Sequence, residues 1–468
     1  MANRRTGNTK RFDWITLWIY LLLLTAGWLM IYAVEYREDS VQPLVNLSTS
    51  YGKQFIWIAI SLCIVFASQV IHSSFWRTFA YALLIGALVL LFLVLFFGQE
   101  IKGSQSWFTF GPVSMQPGEV AKFPAILALA AYLAYYRTDL RKNRHFFTAL
   151  GIIALPVGMI MLQPDTGTAL TYGALLIVLF RAGAHPIWYI LILGIGVLFI
   201  TSILFSAYYV ILTLLLGGGG LAILYYKDRL NWFLAYALFT TLILLIVALE
   251  MYTLAMVLAV LLCSVYVLKI FTTREQRLVF VFAPVLVLSS VFSFSTTYVF
   301  DNVLLPHQRD RLNVWLQPEL SDPRGALYNV FQSKLAIGSG GLTGKGYLDG
   351  TLTKLNYVPE QNTDFIFVTV AEEQGFIGAS ALIIIYSILM IRIFRMGERM
   401  RNDFDRAFAY GFGGFLYIHF AINIGMTMGL MPVVGIPLPY ISYGGSSLLV
   451  FSAMMGVLLR MDMERRNS

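Results

Sequence analysis

The stretch WITLWIYLLLLTAGWLMIYAV, residues 14–34, runs for 21 positions without a charged side chain. As a helix rising about 1.5 Å per residue it reaches roughly 30 Å, the depth of a bilayer's hydrocarbon layer. The residues before it, MANRRTGNTKRFD, bring basic groups but no small-residue cleavage pattern, so the segment reads as a retained first span. Moving outward, comparable segments lie near 54–71, 77–97, 118–136, 147–163, 166–183, 187–206, 208–226, 232–250, 252–270, 277–298, 362–393, 407–430 and 443–460, which with the first make fourteen. The weakest divisions fall at Pro164 and at the LLGGGG stretch ending at Gly220.

Composition points the same way. Of 468 residues, 58% are hydrophobic and only 12% charged, and the mean hydropathy is +0.73. A chain of this length already fills its own core, so the apolar excess needs lipid as solvent, which excludes a soluble multidomain protein. Aromatics reach 15%, and 26 Tyr with 9 Trp suit two interfacial belts. Cys63 and Cys263 both fall inside apolar runs, which argues against a disulfide framework or a cysteine-rich metal site.

The net charge of +8 is an orientation signal rather than a nucleic-acid footprint, because it is divided among short groups between spans. With the N-terminus in the cytoplasm, 23 of the 33 basic residues fall on cytoplasmic pieces. The other ten, Arg37, Lys53, Lys102, Lys122, Arg309, Arg311, Arg324, Lys334, Lys345 and Lys354, lie on or face the outer side. Both termini are therefore expected inside. Sixteen of the 25 acidic residues lie on the outer side or within spans, which a polar site facing outward would explain.

One connection is long, 299–361, far above ordinary loop lengths. Trp315, Leu316, Tyr328, Val330, Phe331 and Leu335 make it too apolar for a floppy insertion, and ALYNVFQSKLAIG reads as a short amphipathic or re-entrant helix before the glycine-rich turn SGGLTGKG. Arg309, Arg311, Arg324, Lys334 and Lys345 accompany Asp310, Glu319, Asp322 and Glu360 there. Such groups can clamp phosphate and accept a proton from a sugar hydroxyl, or they can be surface ion pairs of little energetic value. Asp322 ranks modestly above Glu319, because the Asp-Pro pair at 322–323 places a short acid at a turn.

Polar groups also interrupt the spans. Glu119 and Lys122, three apart, share a helical face; they either neutralise one another or wall an outward-facing headgroup site. Trp107 is either a sugar-stacking platform or an interfacial anchor. Asp165, at the break formed by Pro164 and Gly167, caps the next helix or joins Glu119 and Lys122 on the same side. Asp364, Glu372 and Glu373 sit in or beside a later span, and Asn423, Thr427, Pro437, Pro439, Ser442, Tyr443, Ser446 and Ser447 line a cavity or permit close packing.

These words together resemble the shape, elongation, division and sporulation (SEDS) family of polytopic cell-wall proteins, and within it the rod-shape-determining branch. The matching stretches are KGSQSW at 102–107, QPGEVAK at 116–122, QPDTGTA at 163–169, DPRGALYNVFQSKLAIGSGGLTGKG at 322–346, NYVPEQNTDFIF at 356–367 and NIGMTMGLMPVVGIPLPYISYGGSS at 423–447. The resemblance implies a peptidoglycan glycosyltransferase that polymerises lipid II into β-1,4-linked glycan during cell-wall elongation and shape maintenance. It implies Asp322 as the catalytic residue, and Trp107, Glu119, Lys122 and Asp165 as matching other functional positions. Arg311, Gln332 and Lys334 are neighbours in the same site with less defined roles. It further implies a partner class B penicillin-binding protein, a transpeptidase, within the elongation machinery, and no nucleic acid. A divalent cation, Mg²⁺ or Mn²⁺, is the one cofactor this chemistry would use; no organic cofactor is expected.

The expected fold is an all-α polytopic membrane protein of the cytoplasmic (inner) membrane: a family-like ten-helix core with about four additional transmembrane helices. Residues 1–183 form the N-terminal part of the core, 187–298 the expanded helical region, 299–361 the extracytoplasmic catalytic loop and 362–468 the C-terminal core. Because four is even, the added spans leave the large loop outside. Two alternatives remain at this stage: a lipid-linked precursor flippase, suggested by the broken spans, and a non-enzymatic cell-wall scaffold.

Overall fold

The structure, a computed structural model, describes residues 12–465 apart from 37–42, 44–45, 102, 112, 224–228, 273–275, 323–324 and 356. The chain parts into two compact units, Met1–Pro186 with Ser321–Ser468, and Ile187–Leu320. The boundary at 320/321 lies inside the long 299–361 connection.

The first unit begins with α1 (Trp14–Glu35), α2 (Ser50–Ser68) and α3 (Ser73–Phe97). Next comes an antiparallel sheet in the order β1 (Gln99–Ile101), β2 (Ser104–Phe110), β3 (Val113–Met115). Then follow α4 (Pro117–Val120), α5 (Lys122–Leu133), α6 (Asn143–Met161), α7 (Thr166–Thr171) and α8 (Leu175–Arg181). The second unit holds α9 (Ile187–Leu204), α10 (Ala207–Ile223), α11 (Arg229–Ala248), α12 (Tyr252–Thr272), α13 (Gln276–Asn302) and α14 (Pro306–Leu316). The first unit resumes with α15 (Ala326–Ser339), α16 (Thr351–Lys354), α17 (Ile366–Arg399), α18 (Asp403–Thr427) and α19 (Gly445–Glu464).

Among the described residues nine helices are long and apolar enough to cross a membrane, in α1, α2, α3, α6, α9, α13, α17, α18 and α19, and four shorter apolar stretches accompany them. The protein is thus an all-α multi-pass membrane protein carrying one small sheet. Three segments read as single spans are interrupted. The 118–136 segment is divided at Ala121, whose own dihedrals stay helical, into α4 and α5, and Pro124 withholds a backbone donor from the first turn of α5. The 166–183 segment is divided by a 3-10 turn, Tyr172–Ala174. Within 362–393, α17 breaks at Gly375, whose φ of 64° lies in the left-handed region that a glycine enters without Cβ strain. Conversely, the LLGGGG stretch makes no boundary: its glycines lie inside α10.

The core of the first unit is built on α18 and α19, whose apolar windows are 78% buried. Phe404, Phe408, Phe412 and Phe415 recur at helical spacing along α18 and are fully buried. Gly27 of α1 lies so close to the backbone of Tyr440 and Ile441 that a Cβ would meet it at 2.6 Å. At the end of this unit remote from the sheet, Arg392 donates to Asp13 (2.6 Å), and Arg399 bridges Asp13 (3.2 Å) and Asp462 (2.6 Å). That cluster ties α1, α17 and α19 together.

In the second unit, Leu212, Tyr236, Ile243, Ala255, Ala259 and Leu262 make a small interior, and Ser202 bonds Ser293 at 2.9 Å. Only 11% of the apolar window of α9 is buried, so most of that helix is left to lipid.

Candidate active site

The sheet-bearing end of the first unit collects most of the residues singled out by sequence. Gly103 and Gly111, both with positive φ, turn the chain on either side of β2. Trp107 sits half-buried on β2, opposite Gln99 of β1. Ser104 bonds Ser106 (2.9 Å) and the carbonyl of Gln163 (2.7 Å), which fastens the sheet to the end of α6.

Beside the sheet, Asp165 caps α7 by accepting from the Thr168 amide at 3.0 Å. Its second oxygen takes the amide of Gln116 at 2.5 Å, and Gln116 also donates to Thr168 Oγ1 at 3.0 Å. Tyr172, fully buried, donates to the Gly118 carbonyl at 2.9 Å. The Gln116–Val120 turn and α7 are thereby locked together.

One turn further along, Lys122 is completely enclosed. Its ammonium pairs with Glu119, meets His419 Nε2 at 2.7 Å, and lies 5.8 and 5.9 Å from the ring centroids of Phe415 and Phe451. Asp165 is within electrostatic reach of the same ammonium. Side-chain exposures of 0% for Lys122 and 5% for Glu119 make this a desolvated pair, for which partnering is the condition of staying charged. No external anion reaches the Lys122 ammonium without displacing one of these partners.

His419, Asn423 and Thr427 follow at four-residue spacing on α18, a polar stripe rising about 12 Å along one helix face. Asn423 donates to the carbonyls of Asp364 (2.8 Å) and Ile436 (2.7 Å). The Thr427 carbonyl accepts from Ser333 of α15 at 2.7 Å. Two buried acceptors on this cluster, Glu119 Oε2 and Asn423 Oδ1, have no hydrogen-bond partner among the described residues. The segment after α18 returns through Tyr440, whose φ of 67° is costly for an aromatic residue. Its ring is held edge-on to Tyr20 at 5.0 Å, and its hydroxyl donates to the Phe451 carbonyl at 3.0 Å.

The remaining predicted residues lie on the long connection. Asp322 is exposed at the start of the returning chain, and its carbonyl accepts from Gly325 at 3.1 Å; Pro323 and Arg324 lie outside the described residues. Gln332 is half-buried on α15. Lys334, one turn of helix away from Val330, is exposed and has its ammonium end against Gly429. Arg311 is half-buried on α14, in the second unit.

Farther on, Glu372 is satisfied on both oxygens. Lys345 donates at 2.7 Å, the Leu352 and Thr353 amides each at 2.9 Å, and the Thr353 hydroxyl at 2.6 Å. The Lys345 and Gly346 amides bond the carbonyls of Glu372 (3.1 Å) and Glu373 (3.0 Å) next to the Gly375 break. Burial raises the Tyr347 phenol in the intervening turn to about 12.

Known proteins match this chain over nearly its whole length. A family model described as a cell cycle protein, covering FtsW, RodA and SpoVE, matches residues 14–216 and 224–467. Peptidoglycan glycosyltransferase RodA of Treponema pallidum (strain Nichols) is 30% identical over 460 residues, 98% of this chain and 99% of the relative. Peptidoglycan glycosyltransferase MrdB of Escherichia coli (strain K12) is 29% identical over 462 residues, 98% and 97% of the two chains. Among solved structures, a chain from a study of how a peptidoglycan synthase complex coordinates polymerization and crosslinking has a TM-score of 0.63 at 26% identity, covering 98% of this chain and 99% of that one. The rod shape determining protein RodA of Thermus thermophilus shares the fold, with a TM-score of 0.55 at 23% identity and 97% coverage of each chain.

Proposed function

The chain belongs to the cell cycle protein family of FtsW, RodA and SpoVE, and we infer from that membership that it is a peptidoglycan glycosyltransferase acting on lipid II in cell-wall synthesis. The observation that carries this conclusion is the match to two such enzymes over 97–99% of their own length. Its place is in elongation and shape maintenance, as the rod-shape branch implies. It works in a peptidoglycan synthase complex with a crosslinking enzyme, in our reading a class B penicillin-binding protein.

The reaction joins two lipid-linked saccharides. The 4-hydroxyl of one N-acetylglucosamine attacks the anomeric carbon of the other molecule's N-acetylmuramic acid, and undecaprenyl pyrophosphate departs. Inversion at that carbon gives the β-1,4 bond. In our reading the exposed carboxylate of Asp322 orients the hydroxyl and takes its proton. Lys334, which retains exposure, suits the departing pyrophosphate, a task that the family resemblance alone extends to Arg311. Enclosed Lys122 suits a different task, holding Glu119 and α18 in place beneath the site. Trp107, Asp165 and Gln332 complete the wall around the saccharide.

Among the described residues no three His, Cys, Asp or Glu side chains gather as a metal cage. Mg²⁺ does not require one, since it commonly uses one or two carboxylates with substrate phosphates. The pyrophosphate oxygens with water would hold such an ion, on the face of the anomeric carbon opposite Asp322, and it would neutralise charge on the leaving group.

The distribution of basic residues supports both termini in the cytoplasm and the 299–361 loop outside. We take the chain as a ten-span family core enlarged by about four spans within 187–298. The test of function is direct. Purified chain with lipid II should form glycan polymer, and Asp322→Asn should abolish it without loss of folded protein. Continued polymerisation by that variant would remove Asp322 from catalysis, and headgroup movement without polymer would establish a flippase instead.

A further inference from the structure

The polar stripe of α18 contains a buried group that this reaction leaves unused. His419 lies with Nδ1 3.0 Å from the carbonyl of Pro437 and Nε2 2.7 Å from the ammonium of Lys122. A carbonyl oxygen can only accept, so Nδ1 carries the proton and donates. Nε2 is then a lone-pair acceptor and accepts a hydrogen bond from the Lys122 ammonium. The ammonium is thus held by Glu119 on one side and by His419 on another, with the faces of Phe415 and Phe451 around it. A lysine side chain left to itself swings through four rotatable bonds; this one is fixed at its tip.

The other end of the His419 ring reaches a segment with its own connections to the site. Pro437 belongs to the stretch between α18 and α19. Asn423 holds the neighbouring Ile436 carbonyl, and Ser442 accepts from the Leu438 amide at 2.8 Å. Asn423 at the same time grips the Asp364 carbonyl, at the approach to α17. His419 therefore joins the charge on α5 to the backbone that supports the polar end of α17 and α19.

We propose that His419 is a positioning residue for glycan polymerisation, a neutral Nδ1–H imidazole that sets the place of the Lys122 ammonium by tying it to the Pro437 carbonyl. The inference rests on the reading of the Glu119–Lys122–Asp165 cluster as part of the polymerising site. It adds a residue whose chemistry is that of a two-ended clamp rather than an acid or base. A glutamine can supply the same pair of functions, an amide oxygen toward Lys122 and an amide N–H toward Pro437, whereas leucine supplies neither.

Two measurements test it on the full-length purified chain. In steady-state polymerisation of lipid II, His419→Leu should lower kcat by about 10–100-fold with KM changed less than about threefold, and His419→Gln should recover to within about threefold of the parent. Leucine at parental kcat, or glutamine as impaired as leucine while both unfold at the parental temperature, overturns the proposal. Independently of activity, ¹⁵N-histidine spectra of a chain in which the other four histidines, His72, His145, His185 and His307, are replaced by glutamine should show His419 as the neutral Nδ1–H tautomer throughout pH 6–8. An Nε2–H tautomer or an imidazolium there overturns it even if both variants fail to fold. A parent that makes no polymer would defeat the functional reading itself. A parent that polymerises beside an unimpaired His419→Leu would defeat this inference alone.

Discussion

Removal of Glu119 should cost more than removal of Glu119 and Lys122 together. Both side chains are nearly or wholly enclosed, and two unit charges at about 4 Å interact by roughly 4 kcal/mol at the effective dielectric constant of about 20 that suits protein sites. Truncating one member of such a pair typically costs about 3–5 kcal/mol, because the survivor stays buried without its counter-charge. Glu119→Gln keeps an oxygen for the Lys122 hydrogen bond and removes only the charge, so it should fall near 3 kcal/mol, with Glu119→Leu near 5, as approximate values in that range. In the double variant Glu119→Leu/Lys122→Met no charge is stranded. What remains is the orphaned Nε2 of His419, an unsatisfied buried acceptor worth about 1–3 kcal/mol. Reversible denaturation in mixed micelles of these variants and of Lys122→Met, fitted as a double-mutant cycle, measures the losses. If the double variant is destabilised by the sum of the single losses, the pair is not the isolated, desolvated couple described above.

Glu372→Gln should loosen the turn 345–353 by about 2–3 kcal/mol, since it weakens charge-assisted bonds from Lys345 and leaves an amide donor facing either the Leu352 or the Thr353 amide; faster limited proteolysis confined to that turn would show it, and unchanged cleavage would refute it. At the opposite end of the same unit, burial would raise the Asp13 carboxyl, but bonds from the Thr16 amide and Arg392 outweigh burial and hold it below its ordinary value of 3.8. A depressed folded-state value gives stability that is present above 3.8 and is lost as pH falls through the folded value, so an acid titration of unfolding should be shallower below pH 3.8 in Asp13→Asn than in the parent. An acid limb identical in parent and variant would contradict this.

How much of this was legible depended on whether a signal was local. The span at 14–34, the three-residue spacing of Glu119 and Lys122, and the Asp165 helix start could each be read from a single window, and the structure finds each element there. The sheet was missed although its signals were present, with Trp107, Phe108, Thr109 and Phe110 standing between turns at Gly103 and Gly111. Gln116 could not be read, because its partner Asp165 is 49 residues away and nothing in either segment names the other. His419 could have been found. Asn423 and Thr427 were singled out for their polarity, and a third polar residue four places earlier completes one face of a helix that is mostly apolar beyond its charged first turn. The break at Gly375 escaped because hydropathy averages over a window and is blind to a single residue's φ.

The join between the 341–346 turn and the broken helix α17 also bears on how the chain is made. Phe376 and Ile377 donate their amides to the Gly341 and Leu342 carbonyls (2.9 and 3.1 Å), while Lys345 and Gly346 donate to Glu372 and Glu373. The turn is synthesised first, yet every one of these partners lies some thirty residues downstream in a helix that must itself enter the membrane. Until α17 is threaded and has opened at Gly375, those backbone groups have no mates and must remain solvated. Docking of the loop is therefore a late event of biogenesis, gated by insertion of the helix behind it, and a newly made chain acquires its finished loop only after that helix is in place.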